Sequence, residues 1–357
     1  MGFSSEQIRK DMVDIKSLRR EELINFITEK GEKKYRADQL FSWMHKNLAE
    51  SMDEMSNIPK SLKELIDKEA EFITLKSVDC QVSAQDGTRK YLFALPDENL
   101  IESVCMEYRE WNSICISSQA GCNMGCRFCA STLGGCKRSL TASEMLEQIY
   151  RVQRDSEKRI SNVVIMGSGE PLDNYDNLLR FLDILTDEKG FNMGERHITV
   201  STCGLVPEIK SLAGEKRAIT LAVSLHAPND EVRKQLMPVA EKYPMAELMD
   251  AVRYYYDCTG RRITFEYALS KGINDDPSQA EELSKLLKGM NCHVNLIPVN
   301  PVKERKIAGS SPSVTAAFKS KLEKNGINVT IRREMGRDID GACGQLRRKH
   351  LEAGLHV

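Results

Sequence analysis

The chain has 357 residues, of which 41% are apolar and 29% charged, and its formal net charge is −1. These values suit a globular chain with a substantial core. They exclude an α-helical membrane span, because no apolar run approaches the ~18 residues that one needs, and they give no overall positive charge to draw nucleic acid.

Eleven cysteines are many. The N-terminus lacks the apolar stretch of a secretory leader, and Glu6 stands where a myristoylation signal wants Ser or Thr. The expectation is a cytoplasmic protein whose cysteines serve metal binding or catalysis instead of a disulfide framework.

Residues 1–72 read as a small helical domain. Ser17 is placed to cap a helix running to about Glu29, with Leu18, Phe26 and Ile27 on its apolar side. A second amphipathic run holds Leu40, Phe41, Trp43 and Met44, and a third follows Pro59 with Leu62, Leu65 and Ile66. Residues 73–108 turn to strands, with Asp86-Gly87 as a hairpin signal between runs at 77–82 and 90–95, and a return at 100–106. Residues 109–357 form the main unit. Short apolar runs recur at 113–117, 162–166, 197–201, 220–224, 264–269, 293–297 and 328–331, most of them separated by helical segments.

Thr141 with Glu144 forms a capping box, as does Asp276-Pro277 with Gln279. Ser313 is placed to open a last helix that ends at Gly326. Alternating strands and helices predict an α/β fold with a parallel sheet. Unusual polar residues fall just after the strands: Cys122 after the first, Gly167-Ser168-Gly169-Glu170 after the second, and Asn300 after the sixth. Ser201 ends the third strand and Ser224-Leu225-His226 the fourth. In a barrel or partial barrel the C-terminal strand edge carries the chemistry.

Residues 121–130 read Gly-Cys-Asn-Met-Gly-Cys-Arg-Phe-Cys-Ala, a C-x3-C-x2-C spacing. Structural zinc sites favour paired C-x2-C units and a fourth ligand. Three thiolates in one short loop instead suit a 4Fe–4S cluster with one iron left open for a chelating ligand. The spacing resembles that of the radical SAM superfamily, in which S-adenosylmethionine (SAM) binds the open iron and is cleaved to a 5′-deoxyadenosyl radical. The glycine loop ending in Glu170 resembles the superfamily's motif for the SAM amino group. Its glycines permit close backbone approach, and a carboxylate beside the loop is able to grip an ammonium group.

Cys115 lies seven residues before Cys122, Glu102 thirteen before Cys115, and Cys343 far downstream in Asp340-Gly341-Ala342-Cys343-Gly344. With Asn295-Leu296-Ile297-Pro298-Val299-Asn300-Pro301 these residues resemble the dual-specificity RNA adenine C2-methyltransferases, RlmN-like enzymes of 23S ribosomal RNA (adenine 2503) and transfer RNA (adenine 37). The resemblance runs from about Asp14 to Leu346.

It implies a partial (β/α)6-type radical SAM barrel with an N-terminal helical RNA-binding domain and a short β linker region. Cys122, Cys126 and Cys129 would hold the cluster, and Gly169, Glu170, Ser201, Ser224, Leu225, His226 and Asn300 would contact SAM. Cys343 would become S-methylcysteine at the expense of one SAM. A second SAM would supply the radical that activates this methyl group for addition to carbon 2. Glu102 or Cys115 would remove the ring proton, and Cys115 would release the product through a transient disulfide with Cys343. An electron donor such as flavodoxin or ferredoxin, no membrane and a monomeric state complete the expectation.

Two other readings share these residues. A carbon-8 adenine methyltransferase of the resistance type has the same cluster and both cysteines; the N-terminal region and Pro171 after Glu170 favour carbon 2. A non-catalytic iron–sulfur RNA-binding or redox-sensing protein would use Cys115 and Cys343 as a redox pair.

Basic residues cluster at Arg332, Arg333 and Arg337, and at Arg347, Arg348 and Lys349. Cys80, Cys105, Cys136, Cys203, Cys258 and Cys292 match no functional position.

Overall fold

The computed structural model describes residues 12–299, 307–339 and 344–352. Strand β1 (Val13–Asp14) opens a helical unit of α1 (Arg20–Glu29), α2 (Lys34–His45) and α3 (Lys60–Glu69), and pairs in parallel with β2 (Ala70–Glu71) at its end. Helix α1 starts at Arg20, with the side chain of Glu22 accepting from the Arg19 amide. Ser17 therefore does not cap it: its hydroxyl donates to Asp14 and accepts the Ser143 amide. A partner 126 residues away took the side chain that local sequence assigns to a cap.

A meander of β3 (Lys76–Val82), β4 (Arg89–Ala94) and β5 (Leu100–Glu107) leads to β6 (Asn112–Cys115). A small hairpin, β7 (Gln119–Gly121) with β8 (Cys136–Ser139), brackets the cysteine motif. Then α4 (Ala142–Ser156), β9 (Ile160–Ile165), α5 (Tyr175–Thr186), β10 (Ile198–Thr202), α6 (Val206–Gly214) and β11 (Thr220–Ser224) follow. The chain goes on through α7 (Asp230–Leu236), α8 (Val239–Lys242), α9 (Met245–Thr259), β12 (Ile263–Leu269), α10 (Pro277–Leu286) and β13 (Cys292–Pro298). Last come α11 (Pro312–Lys324), β14 (Asn328–Ile331) and α12 (Gln345–Glu352).

The capping boxes at Thr141 and Asp276 form as the sequence predicts. The last predicted cap sits two residues early: Ser311 accepts the Val314 amide, and Pro312 takes the first helical position, where its missing N–H costs nothing.

Ten strands make one sheet in the order β14-β13-β12-β11-β10-β9-β6-β5-β4-β3. From β6 to β14 all six pairings are parallel, so the sheet is an open barrel extended by the antiparallel meander. Alternation divides its two faces. Val163, Ile165, Val200, Leu221, Val223, Phe265 and Val294 are almost fully buried. Each such side chain contributes roughly 1.5–3 kcal/mol. The other face carries Thr199, Ser201, Ser224, Glu266 and Asn295, a polar set unusual for a packed barrel interior.

The helical unit is fastened to the barrel by buried polar contacts. Lys16 and Glu147 form a fully buried ion pair at 2.8 Å, with the Lys16 ammonium 3.9 Å from the centre of the Phe72 ring. His45 is fully buried, its Nδ1 2.9 Å from the Tyr150 hydroxyl.

Burial, and secondarily Lys16, hold His45 down at about 3, whereas an unfolded histidine titrates near ~6.5. The folded state thus rejects a proton that the unfolded state binds. Stability from this residue is complete above ~6.5 and is lost as pH falls toward 3. In denaturation series over that window, His45→Gln is expected to flatten the pH dependence by about 1.4 kcal/mol per pH unit relative to the parent chain; equal slopes would remove His45 as the cause.

Candidate active site

Strand register puts the candidate residues on one face. Glu102 pairs with Leu92, Val104 with Cys115, and Cys115 with Val164. Val164 pairs with Thr199, two residues before Ser201 on the same face. Ser224, Glu266 and Asn295 form a single row across β11, β12 and β13. Glu102, Cys115, Ser201 and Ser224 therefore share the polar face although 122 residues separate the first from the last.

The cysteine loop is built against the glycine loop. Ser118 and Gln119 amides both donate to the Ser168 carbonyl, the Ser168 amide donates to the Ser117 hydroxyl, and the Gly121 amide donates to the Ser168 hydroxyl. The Glu170 amide donates to Gln119 Oε1 at 2.9 Å. This closeness demands glycine. A Cβ on Gly169 (φ +110°) would lie 2.6 Å from the Gln119 nitrogen, and one on Gly121 (φ +96°) 1.9 Å from the Gly135 carbonyl oxygen. Further along, the Arg127 amide donates to the Leu236 carbonyl, and the Thr132 hydroxyl to the Cys126 and Cys129 carbonyls, so the motif is pinned to the end of α7 and to itself.

Cys122 and Cys126 are buried and Cys129 half-buried. Burial pushes the Cys122 thiol up to about 12, and Cys126 is raised by burial and by the neighbouring Cys129 and Cys122. Among the described residues no three His, Cys, Asp or Glu side chains converge to hold a single ion. Three soft thiol donors on one loop fit an iron–sulfur cluster, for which cysteine thiolates are the usual ligands.

Glu170 is 3% exposed. Its two carboxylate oxygens accept the Cys203 amide at 2.7 Å and the Leu172 amide at 3.1 Å, while burial raises its carboxyl. The carboxylate braces the β9 and β10 loops against each other.

His226 sits at φ +55° with Nδ1 accepting the Ala268 amide at 2.9 Å. Burial, and then Arg233, lower it to about 3, so the ring is neutral with its proton on Nε2. It meets Phe128 of the cysteine motif edge-on at 4.8 Å.

Glu102 is not a solvent-facing strand residue. It is buried, paired with the fully buried Lys90 at 3.0 Å, and accepts the Gly344 amide at 2.5 Å and the Arg347 amide at 2.7 Å. Upstream, Asp86 of the β3–β4 turn accepts the Gly336 amide, and Asp338 accepts from the Ser83 hydroxyl and the Ala84 amide. Cys343 and Asn300 themselves lie outside the described residues. The flanks of Cys343 are thus gripped on both sides by the meander, at Gly336 to Asp338 and at Gly344 to Arg347.

Sequence reading missed Lys90, Arg233 and Glu266. Glu266 is 4% exposed, its Oε2 accepts the Asn295 amide group at 2.9 Å, and its backbone carbonyl accepts the Leu225 and His226 amides. The signal was present as a lone acid alternating with Phe265 and Tyr267 in a core strand. A cavity of about 1020 Å³ opens beyond the ends of β13 and β14. It is lined by Pro298, Val299, Ile307 and Ile331 on its apolar side and by the exposed Arg332 and Arg333.

The close contact at Gly121 yields a direct test. Gly121→Ala is expected to spread the β7–β8 hairpin and cut iron bound after anaerobic reconstitution to under half that of the parent chain, while the circular dichroism of the barrel stays. Full iron content would show that the loop tolerates the methyl group.

Profiles of known families match the chain in two places: the radical SAM superfamily over residues 116–283, and the ribosomal RNA large subunit methyltransferase N-terminal domain over residues 13–72. A relative from Lachnospira eligens, named "Probable dual-specificity RNA methyltransferase RlmN", is 60% identical over 96% of this chain and 97% of its own. One of the same name from Bacillus velezensis is 49% identical over 97% and 96%. The crystal structure of a radical SAM methyltransferase from Sphaerobacter thermophilus superposes with a TM-score of 0.89 at 43% identity, over 93% of this chain and 98% of that one. The chain belongs to the RlmN family of radical SAM dual-specificity RNA methyltransferases.

Proposed function

We propose that this RNA methyltransferase methylates carbon 2 of adenine in 23S ribosomal RNA and transfer RNA, with Cys343 as the methyl carrier. The observation that supports this reading is the grip of Glu102 on the residue after Cys343, on the face that also carries Cys115 and Ser224. Carbon 2 lies between two ring nitrogens and is too electron-poor to attack a sulfonium methyl group, so the methyl must arrive as a radical. A cluster on Cys122, Cys126 and Cys129 with SAM bound supplies that radical chemistry.

The chain's own residues do the rest. Cys343 takes a methyl group as a thiolate and presents it to the base on a segment fixed at both ends. Glu102 accepts the ring proton, displacing one of the donors that now hold its carboxylate. Cys115 attacks the Cys343 sulfur, breaking its bond to the transferred carbon, which takes up a proton to become the methyl group on the freed base, and leaving a disulfide that an external reductant reopens. Gly169, Glu170, Ser201, Ser224, Leu225, His226 and Asn300 surround SAM in this reading, with Glu170 acting as a brace and His226 as a neutral donor.

RNA docks beside the site. Arg332 and Arg333 are exposed, and among the described residues neither makes an ion pair. They line the cavity next to β13 together with apolar wall residues, a combination that suits phosphates and unstacked bases of a single strand.

Nucleoside mass spectrometry tests the reaction. The reconstituted protein with SAM, reductant and unmodified 23S fragment or tRNA is expected to yield 2-methyladenosine. Cys343→Ala should abolish it, and Cys115→Ala should accumulate RNA covalently joined to protein. Formation of 8-methyladenosine would assign the chain to carbon 8; SAM cleavage without a methylated base would overturn the substrate.

For docking, Arg332→Ala with Arg333→Ala is expected to weaken RNA binding evenly across sequences and lower the salt slope by about 1–2. An unchanged slope would place the phosphates elsewhere.

A further inference from the structure

Arg233 is the largest fully buried side chain among the described residues. It projects from α7, which Asn229 caps through the Val232 amide. Its Nη2 donates to the Cys203 carbonyl at 2.6 Å and, longer, to the Ser224 carbonyl at 3.5 Å; Nε donates to the Leu225 carbonyl at 3.3 Å. Its Nη1 is buried and, among the described residues, has no hydrogen-bond partner. Among the described residues no carboxylate is in ion-pair contact with it; Asp230, on the same helix, acts on it through charge without a hydrogen bond.

A permanent cation in the interior without a counter-ion is among the most costly arrangements a fold can hold. Carbonyl dipoles offset part of that cost, and the unpartnered Nη1 marks what they leave. The neighbouring groups with latent negative charge are thiols: Cys203, whose carbonyl Arg233 holds, and Cys126, a candidate cluster ligand. Burial presses the guanidinium below the ordinary arginine value, and Cys203 and Cys126 act in the opposite sense. Burial raises both thiols, and of the two only Cys126 lies in the candidate cluster loop, where it would bind iron as a thiolate, leaving that loop as the charge for Arg233 to balance. The backbone also joins the two, because the Leu236 carbonyl of the same helix accepts the Arg127 amide at 2.9 Å.

We propose that Arg233 is the built-in counter-charge of the iron–sulfur site, a positioning residue that makes the cluster on Cys122, Cys126 and Cys129 easier to reduce. Three thiolates leave such a cluster with net negative charge, and reduction adds one more. A fixed cation in a low-dielectric surround stabilises the more negative state preferentially. The electron comes from a one-electron donor of the flavodoxin or ferredoxin class. No proton accompanies it, since a guanidinium does not titrate. The inference rests on the radical SAM cofactor alone and stands whether carbon 2 or carbon 8 is methylated.

The alternative is that Arg233 only ties the β10 and β11 ends together through three carbonyls. Two substitutions separate charge from tying: Arg233→Gln keeps amide donors and loses the charge, whereas Arg233→Lys keeps the charge and loses the fork. The measurement is the midpoint potential of the reconstituted cluster, by EPR-monitored redox titration, alongside iron content.

Arg233→Gln is expected to lower the reduction equilibrium at least tenfold, about 59 mV for one electron, while Arg233→Lys stays within tenfold of the parent. A parent-like potential in a fully loaded Arg233→Gln protein would overturn the proposal, as would an equal drop in Arg233→Lys. Should Arg233→Gln fail to fold or load, Arg233→Lys decides alone: a retained potential supports the counter-charge, and a tenfold loss overturns it.

Discussion

The site depends on the hydrogen-bonded seam between residues 117–121 and 167–170. Four backbone and hydroxyl bonds join the entry to the cysteine motif with the loop after β9. They form only because Gly167 and Gly169 carry no Cβ; at Gly167 a Cβ would lie 2.7 Å from the Ile116 carbonyl oxygen. Backbone that close excludes water and lets Ser168 bond on three sides at once. The cluster loop, the glycine loop and the Glu170 brace to β10 thus share one rigid foundation.

On that foundation the fold brings together residues with no sequence relation. A parallel sheet aligns strand ends, and alternation sorts side chains to a helix face or an inner face. Because the meander continues the same sheet past β6, its inner-facing residues, Lys90 and Glu102, join the polar face that begins at β11 and β12. The antiparallel extension is therefore part of the site. Its strands supply Glu102 and its turn supplies Asp86, whose carboxyl burial raises but the hydrogen bonds from Gly336, Thr88 and Ser83 together hold down at about 2.

Much of this was legible in the sequence, and for physical reasons. The seven parallel strands were readable because each has a buried apolar set in short period, and the boxes at Thr141 and Asp276 because both partners lie within four residues. Family resemblance added the cysteine roles as expectations only. The β7–β8 hairpin was not readable: three and four residues offer no periodicity. Ser17 was misread because its partner is Ser143, and the partners of Glu102 were not legible because its donors lie 242 and 245 residues downstream. Arg233 resembled any helix-surface arginine in Asp-Glu-Val-Arg-Lys; only burial, which is a tertiary property, sets it apart.

The two grips that flank Cys343 set a length scale. Between Ile339 and Gly344 lie four residues, which span about 14 Å at full stretch. On the carrier role proposed for Cys343, so short a leash confines loading and delivery to one chamber at different times, so the spent donor has to leave before the next enters. Turnover in such an enzyme is paced by exchange at a single doorway, and anything that lingers there acts as a competitor of both half-reactions.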